Sequence, residues 1–469
     1  MKAVPVPFGI MSYRSASLPW NAQRLVNWFA ETAPPEAGSK TPFMLRPRPG
    51  LVELETISGA CRGHHTMAGV LYGVYGEYLY SISSAMVATQ LGIINTTGNV
   101  TMADNGIQLT IVAEPSGFVY DTSGTVTPAF QQISDPDFQG SKYVTEMDGY
   151  FVHVIPGDSG EWQVSNLNDG LAFDALAFAV AESNGDPLLA AFANHGELWL
   201  FGTETIEPWG PSGSAAFPFS PIQSTKIERG CAAPFSISNY DNTTVWIGDD
   251  RIVYRANGYA PLRISTHAIE KLIQSSTDLG PVQGSWLTID GHTFYMLKQP
   301  LQWTLLYDAA TGMWHEWQSF GFECWVYGFP INIYNSIMVG GDSGNLYELD
   351  LDTYTDAGTA ISRQCFSPQL FGNTARVFLN RLQIDLEAGV GLNTGQGSDP
   401  QAMLSWSKNG GRTWSNEHWR SMGMIGEYGR RVIWRRLGQC FQIMFKLVIT
   451  DPVKPVILGA FADTETTPP

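Results

Sequence analysis

Basic residues are scarce in this sequence. Its 469 residues include 27 Lys and Arg against 44 Asp and Glu, which gives a formal net charge of −17 at pH 7. A general nucleic-acid-binding protein carries a basic face that neutralises phosphates, so this charge argues against that class. Charged residues make up only 15% of the chain, whereas apolar residues make up 44%. That balance excludes a disordered protein.

Cysteines and long apolar runs are also scarce. No segment approaches 18 apolar residues, and Pro5 and Pro7 interrupt the start of the chain, where an export signal needs an apolar run. We therefore expect neither a membrane anchor nor export. The cysteines are odd in number, far apart and never spaced as Cys-x-x-Cys, so we expect reduced and mostly buried thiols. They are Cys61, Cys231, Cys324, Cys365 and Cys440.

Motifs for common enzyme chemistry are missing. The sequence has no His-Glu-x-x-His pair, no Gly-x-x-x-x-Gly-Lys phosphate loop and no Gly-x-Gly-x-x-Gly dinucleotide loop. Gly-Asp-Ser-Gly, which surrounds the serine nucleophile of trypsin-like proteases, occurs at 157–160 and 341–344. Both copies follow a strand at the same position of a repeat, and we interpret them as hairpin turns. The sequence thus predicts a protein that is not an enzyme, with no catalytic, cofactor-binding or metal-binding residue and no cofactor.

Glycine, proline and aromatic residues are abundant instead. The chain has 48 Gly and 28 Pro, and 12% of its residues are aromatic. Aromatic residues favour strands, while Gly and Pro favour the tight turns that join them. The composition therefore predicts an all-β fold.

A repeated unit occupies the middle of the chain, from about residue 60 to residue 350. Each copy has a turn dipeptide, a strand, a second Gly- or Asp-rich turn and another strand, and the copies start 37 to 49 residues apart. This spacing is typical of the four-stranded blades of a β-propeller, in which the first strand of each blade lines a central channel. We predict a β-propeller-like body of six to seven blades. The turn dipeptides are Ala68-Gly69, Asn105-Gly106, Asp148-Gly149, His195-Gly196, Asp241-Asn242, Asp290-Gly291 and Tyr334-Asn335.

Acidic charge is concentrated in the repeat. Residues 1–60 carry a formal charge of +2, residues 61–369 carry −22 and residues 370–469 carry +3. Regions of opposite sign are expected to face different neighbours. We predict an N-terminal arm with a short helix and a Pro-Gly turn (1–60), a β-propeller (61–355) and a C-terminal β-sheet platform or sandwich (356–469).

A short hairpin near the C-terminus resembles the Asp-box of sialidases and other propellers. It reads Ser-Lys-Asn-Gly-Gly-Arg-Thr-Trp, and Asn409 takes the place of the Asp. In that motif two side chains bond the turn backbone while the Trp packs beneath, so we interpret Ser407, Asn409, Gly411 and Trp414 as a structural hairpin. The resemblance leaves an alternative open, a glycan-binding or glycan-cleaving propeller. A secreted adhesion propeller would need an export signal and paired cysteines, and the sequence has neither.

Two arginine pairs flank a tryptophan downstream of this hairpin. In a strand, Arg430, Trp434 and Arg436 would share one face, while Arg431 and Arg435 would share the other. One interpretation is a solvated strand in which Arg stacks on Trp. The other is a subunit interface, where Arg and Trp are enriched, and it makes all five residues candidates.

The N-terminal arm contains a candidate helix. Asn21 can cap it, and Leu25, Val26, Trp28 and Phe29 would form an apolar stripe. The stripe could belong to the core of the protein or pack on a partner. The candidate interface residues of the arm are Tyr13, Arg24, Asn27, Trp28 and Glu31.

Both ends of the chain resemble one family, the packaged-DNA stabilisation proteins of short-tailed phages, also called tail accessory or tail nozzle proteins. At the N-terminus the resemblance lies in Ser-Tyr-Arg-Ser at 12–15, Leu-Pro-Trp-Asn-Ala-Gln-Arg-Leu-Val-Asn-Trp-Phe-Ala-Glu at 18–31 and Arg-Pro-Gly-Leu at 48–51. At the C-terminus it lies in the hairpin at 407–414 and in Gly-Glu-Tyr-Gly-Arg-Arg-Val-Ile-Trp-Arg-Arg-Leu-Gly at 426–438.

The resemblance implies a structural function in the virion tail, with assembly in the host cytoplasm. It implies a homo-hexamer below the head-completion adaptor ring of the portal vertex, which extends the DNA channel and retains the packaged DNA. A tail needle would close the channel, and tailspike proteins would dock around it. Packaged double-stranded DNA would pass through without sequence-specific binding, which fits an acidic body that repels phosphates.

Overall fold

The computed structural model describes residues 2–33, 41–181, 185–214, 217–240, 242–371 and 375–466. Strands make up nearly all of its regular structure, which confirms the predicted all-β class. Helical structure in these residues is confined to a 3-10 turn at Pro234–Ser236 and to α1 at His267–Ser275.

Seven short strands lie in the described residues before position 60. They are β1 (Lys2–Pro5), β2 (Tyr13–Arg14), β3 (Ala22–Gln23), β4 (Leu25–Val26), β5 (Trp28–Thr32), β6 (Phe43–Pro47) and β7 (Gly50–Ser58). Most of them pair with strands that lie hundreds of residues later in the chain.

The repeat folds into seven antiparallel blades within the described residues. The first three are β8 (Cys61–Met67), β9 (Val70–Tyr75), β10 (Tyr78–Ile82) and β11 (Ala88–Ile93); β12 (Thr101–Asp104), β13 (Gln108–Ala113), β14 (Ser116–Asp121) and β15 (Phe130–Gln132); and β16 (Tyr143–Met147), β17 (Tyr150–Val154), β18 (Glu161–Asn166) and β19 (Asp169–Val180). The next two are β20 (Leu188–Asn194), β21 (Glu197–Gly202), β22 (Ile206–Pro211) and β23 (Phe219–Pro221); and β24 (Ser238–Tyr240), β25 (Thr243–Ile247), β26 (Val253–Asn257) and β27 (Ala260–Arg263). The sixth is β28 (Gln283–Ile289), β29 (His292–Gln299), β30 (Trp303–Asp308) and β31 (Met313–Glu316), and the seventh begins with β32 (Tyr327–Ile333), β33 (Ser336–Gly341) and β34 (Gly344–Asp350).

The first turn of each blade lies where the repeat predicts it. Ala68 and Gly69 have φ values of 50° and 76°, and both residues of four further turns also have positive φ. Two consecutive positive φ values are characteristic of the type I′ turn, whose twist matches that of a β-hairpin. Gly takes the second position of most of these turns without steric cost. The four further turns are at 148–149, 195–196, 290–291 and 334–335, while Asp241 lies outside the described residues.

Apolar side chains between neighbouring blades hold the ring together. Val74 of the first blade and Ile111 of the second belong to one buried cluster, and similar clusters join the later blades. The inner strand β32 contacts β8, so the ring closes between the seventh and first blades. The outer strand of the seventh blade is β7, which pairs antiparallel with β34 and sets Leu51 opposite Leu349. The N-terminal part of the chain therefore completes the propeller.

The C-terminal region forms a β-sandwich that also uses N-terminal strands. One sheet has the order β42-β39-β44-β6-β5, with β1 paired to β44, and the other runs β4-β37-β43-β40-β41 and continues from β31 of the sixth blade. Trp28, Leu382 and Phe445 lie in the core between the sheets. The C-terminal strands are β35 (Thr355–Asp356), β36 (Thr359–Ala360), β37 (Arg363–Phe366), β38 (Leu370–Phe371), β39 (Val377–Leu386), β40 (Gln401–Ser407), β41 (His418–Ser421), β42 (Val432–Cys440), β43 (Gln442–Ile449) and β44 (Ile457–Thr466).

The predicted N-terminal helix is wrong, and residues 1–60 do not form a separate arm. Leu25 and Val26 form β4, which lies between β31 and β37, and both side chains are buried. Asn27 then adopts a φ of 60°, which turns the chain out of this sheet and into β5 of the other sheet. Two sheets thus take up the apolar residues that would form one helical stripe, because long-range strand pairing overrides local propensity.

A buried network fixes the point where the N-terminal segment joins the two domains. The Arg48 guanidinium makes two bonds of 2.8 and 2.6 Å to the Asp356 carboxylate and donates a third, of 2.9 Å, to Asn27 Oδ1. It also lies 5.7 Å from the ring centroids of Trp317 and Trp325. Arg48, Asp356 and Asn27 are all at most 2% exposed. The bidentate geometry and the extra acceptor, Asn27 Oδ1, satisfy a charge pair that would otherwise be costly to bury.

We predict that Asp356→Asn lowers the free energy of unfolding by about 3–5 kcal/mol, because it leaves the buried Arg48 cation without its partner. Denaturant unfolding followed by tryptophan fluorescence measures this loss. The matched control is Glu228→Gln. It removes the carboxylate of an exposed ion pair, in which Glu228 Oε1 lies 4.0 Å from Lys226 Nζ, and should cost at most about 1 kcal/mol. Equal effects of the two substitutions would contradict the role given to the buried pair.

Candidate functional site

The arginine-rich strand near the C-terminus has a different arrangement from the predicted one. Trp434 is 1% exposed, belongs to the sandwich core and donates a 2.7 Å hydrogen bond to the carbonyl oxygen of His418. The Trp434 side chain is therefore too buried to contact another subunit, and the interface prediction for it is wrong. Arg435 and Arg436 are exposed, and Arg436 has a φ of 61° opposite a register shift in β39. This irregularity breaks the simple alternation of faces, so Trp434 points inward while both arginines face solvent.

Among the N-terminal interface candidates, two side chains are buried and two are paired within the chain. Asn27 and Trp28 are 0% exposed, so the interface prediction is wrong for these two side chains as well. Arg24 forms a 2.5 Å ion pair with Glu316, and Glu31 accepts a 3.0 Å bond from Arg46. Burial opposes the ionisation of Glu316, but the Arg24 guanidinium holds the pKa of that carboxyl below its usual range. Both candidate charges are thus paired within the chain.

Tyr13 lies near the surface on β2. Its ring is 5.9 Å from that of Trp20 in an edge-on arrangement, and Trp20 is largely exposed. The pair forms a small aromatic surface, and an interface role for Tyr13 stays a prediction.

The hairpin at Ser407 has the hydrogen bonds of a turn clamp. Gly411 N donates to Ser407 Oγ over 2.9 Å, and Thr413 N donates to Asn409 Oδ1 over 2.9 Å. Asn409 Oδ1 thus accepts the backbone bond expected of Asp, and the Asn409 amide nitrogen adds a bond that Asp could not donate, 2.7 Å to Thr413 Oγ1. The Trp414 ring packs edge-on against Phe366, 5.6 Å away. These contacts hold a loop between β40 and β41.

The loop before β42 has exposed apolar side chains that the sequence does not predict, next to the predicted arginines. In the loop between β41 and β42, Met424, Ile425 and Tyr428 are 51%, 56% and 78% exposed. Arg430 and Arg431 follow directly and are also exposed. In the sequence, this loop is marked only by apolar residues that alternate with Gly423, Gly426 and Gly429. That pattern indicates a loop but does not tell which of its apolar side chains are exposed. We call Met424, Ile425, Tyr428, Arg430, Arg431, Arg435 and Arg436 the arginine edge.

A concave acidic surface lies between the sixth and seventh blades. It encloses about 720 Å³ and contains the carboxylates of Asp290, Glu348, Asp350 and Asp352, with no Lys, Arg or His among its lining residues. Asp290 is paired with Arg46 of β6, which places this surface beside the sandwich. We call it the acidic cleft. Its residues come from the ends of β28 and β34, so no short sequence motif indicates it.

One cluster of reactive side-chain types lies inside the propeller. Cys61 Sγ is 3.4 Å from His64 Nε2, which is 2.7 Å from the Tyr75 hydroxyl. Burial raises the pKa of the Cys61 thiol to about 12 and lowers that of His64 to about 4. At neutral pH both groups are uncharged, which is the opposite of an activated thiolate.

The two Gly-Asp-Ser-Gly copies lie in turns. Residues 342–343 connect β33 to β34, and residues 157–160 belong to the loop between β17 and β18. Within the described chain, no group of three or more His, Cys, Asp or Glu side chains is arranged to hold a metal ion. No helix in the same residues is long and apolar enough to cross a membrane.

Fold and surfaces define a class: a seven-bladed β-propeller interwoven with a β-sandwich, with an acidic cleft on the former and an arginine edge on the latter. A protein-family model described as "Bacteriophage P22 Gp10, beta-propeller" matches residues 2–354, and one described as "Bacteriophage P22 Gp10, beta-sandwich" matches residues 362–465. The chain belongs to the bacteriophage P22 Gp10 family and is a structural protein of the phage tail.

Other comparisons give distant similarities. A search of curated proteins finds no match. Among solved structures, the computationally designed Ika8 protein is 10% identical with a TM-score of 0.40, covering 64% of this chain and 99% of that one. Hsv2 of Kluyveromyces lactis is 11% identical with a TM-score of 0.33, and the match covers 59% of this chain and 90% of Hsv2. BamB from Moraxella catarrhalis is 12% identical with a TM-score of 0.36, and the match covers 68% of this chain and 94% of BamB. Similarities this distant do not bear on the function of this chain.

Buried histidines predict how stability depends on pH. Burial lowers the pKa of His64 and His315 to about 4 and that of His153 to about 3. An unfolded His gains its proton near pH 6.5, so between pH 6.5 and about 4 the unfolded state binds more protons. Stability is therefore complete above pH 6.5 and is lost as pH falls through that window, by about 1.4 kcal/mol per pH unit for each histidine.

We predict that His153→Phe removes one of these three contributions. The His153 ring lies among Phe138 and Phe173, so Phe keeps the aromatic packing without a proton to gain. Unfolding free energies between pH 4.5 and 5.5, where an unfolded His is almost fully protonated, should show a slope about 1.4 kcal/mol per pH unit shallower than wild type. Phe138→Leu, a control in the same cluster, should lower stability without changing the slope. An unchanged slope in His153→Phe would contradict the assignment.

Proposed function

We propose that this protein is the subunit of a phage tail nozzle. Six copies form a ring below the head-completion adaptor of the portal vertex, extend and close the DNA channel, and retain the packaged DNA. The ring provides docking sites for a tail needle and for tailspike proteins, and it assembles in the host cytoplasm. The observation that carries this proposal is family membership over both domains, at residues 2–354 and 362–465.

The charge of the chain supports a conduit rather than a DNA-binding protein. Residues 61–369, which contain all seven inner strands, carry a formal charge of −22. Such a surface repels phosphates, so DNA passes without sequence-specific binding.

The construction of the fold supports a mechanical role. The N-terminal segment supplies strands to the last blade and to both sheets of the sandwich. A load applied to either domain is therefore transmitted through backbone pairing and not through a flexible linker.

The chemistry of the described side chains supports a non-enzymatic role. The protease-like tetrapeptides serve as turns, the Cys61 thiol has a raised pKa, and the Asp-box-like hairpin bonds its own backbone. The alternative, a glycan-binding or glycan-cleaving propeller, predicts a monomer that binds or cleaves glycans without partner proteins.

The test is the solution mass of the full chain, alone and mixed with the adaptor, by light scattering at several concentrations. We expect six chains of 51.5 kDa in one particle, formed alone or with the adaptor. A persistent monomer that ignores the adaptor would contradict the nozzle. Glycan binding or hydrolysis by that monomer would establish the alternative instead.

A further inference from the structure

The arginine edge carries charge that the chain itself does not neutralise. Arg430, Arg431, Arg435 and Arg436 lie within seven residues and are exposed. Among the described residues, none of their guanidinium groups has a hydrogen bond or an ion-pair partner, although the chain contains 44 carboxylates. Four neighbouring like charges repel one another unless an anionic surface docks on them.

The apolar members of this edge add a second signal. Tyr428 packs over Gly389, where an added Cβ would lie 2.7 Å from its ring, yet most of its surface remains exposed. Met424 and Ile425 lie beside it in the same loop. Aromatic, Met and Arg side chains together are the composition of a protein–protein interface.

The acidic cleft has the complementary charge and shape. It encloses about 720 Å³ and has no basic lining residue, and three of its carboxylates, Glu348, Asp350 and Asp352, have no ion pair among the described residues, whereas Asp290 pairs with Arg46. Leu351, which also lines the cleft, is 47% exposed. An exposed loop with apolar residues and two arginines has the charge complementary to such a cleft, and its apolar side chains can enter the concavity.

The two surfaces lie in different domains, the arginine edge on the sandwich and the acidic cleft on the propeller. The arginine edge is on and before β42, the first strand in the order β42-β39-β44-β6-β5. The acidic cleft lies on the propeller beside β6 of the same sheet, because Arg46 of β6 pairs with Asp290 and Pro49 lines the cleft. Three strand spacings between β42 and β6 amount to roughly 14 Å. The arginine edge and the acidic cleft of one copy are therefore separate surfaces.

We propose that the arginine edge of one copy docks into the acidic cleft of a second copy of this chain. Complementary surfaces at two different places make a head-to-tail contact, which closes into a ring when the rotation between neighbours allows it. This inference rests on the proposed homo-oligomeric ring and names the surfaces that hold it together.

The test is a charge swap in the full chain. Arg430→Glu with Arg431→Glu should lower the association constant by about 100-fold, because like charges then face each other. Glu348→Arg with Asp352→Arg should do the same from the cleft side. All four substitutions in one chain should restore most of the assembly. Arg412→Glu with Lys271→Glu, which changes the net charge equally away from both surfaces, should assemble as wild type does.

Sedimentation velocity, with a thermal melt of each variant to verify folding, separates the outcomes. If wild type assembles neither alone nor with the adaptor, the ring and this contact both fail. If wild type and all folded variants assemble alike, only this contact fails. If Arg430→Glu with Arg431→Glu assembles normally but loses binding to a short DNA duplex that wild type binds, the edge serves a polyanion and the proposal is overturned. Rescue by the fourfold variant supports it directly.

Discussion

Closing the ring with an N-terminal strand is the constraint on which the rest of the structure depends. A propeller blade buries its faces only when both neighbours are present, so an open ring exposes apolar surface at two places. Here β7 completes the last blade, although it lies nearly three hundred residues away from β34 in the chain. The buried bonds between Arg48, Asp356 and Asn27 set where this strand begins and where the chain leaves the propeller.

The same constraint makes the two domains interdependent. The N-terminal segment passes from the sandwich sheet that holds β4, through the sheet that holds β5 and β6, and then into the propeller as β7. The sheet of the sixth blade continues without interruption into the sandwich through the parallel contact of Glu316 with Val26. This pairing fixes the positions of the arginine edge, on the sandwich, and the acidic cleft, on the propeller, relative to each other.

Sequence reasoning succeeded where the structure is encoded locally. Type I′ turns need two residues with positive φ, and Gly, Asn and Asp dipeptides mark them, so the blade spacing and the all-β class were predictable. The Asn409 hairpin is equally local. The helix at Leu25 and Val26 was mispredicted because a helical stripe and two short strands separated by Asn27 give the same apolar pattern. The burial of Trp434, the exposed loop at Tyr428 and the acidic cleft depend on long-range register or on distant segments, which no short window of sequence contains.

Differential scanning calorimetry of the full chain tests most directly whether the shared segment couples the domains. The account predicts one transition in which propeller and sandwich unfold together, with a calorimetric enthalpy close to the van't Hoff enthalpy. Two separated transitions, one for each domain, would show that the N-terminal strands do not bind the domains into one cooperative unit and would contradict it.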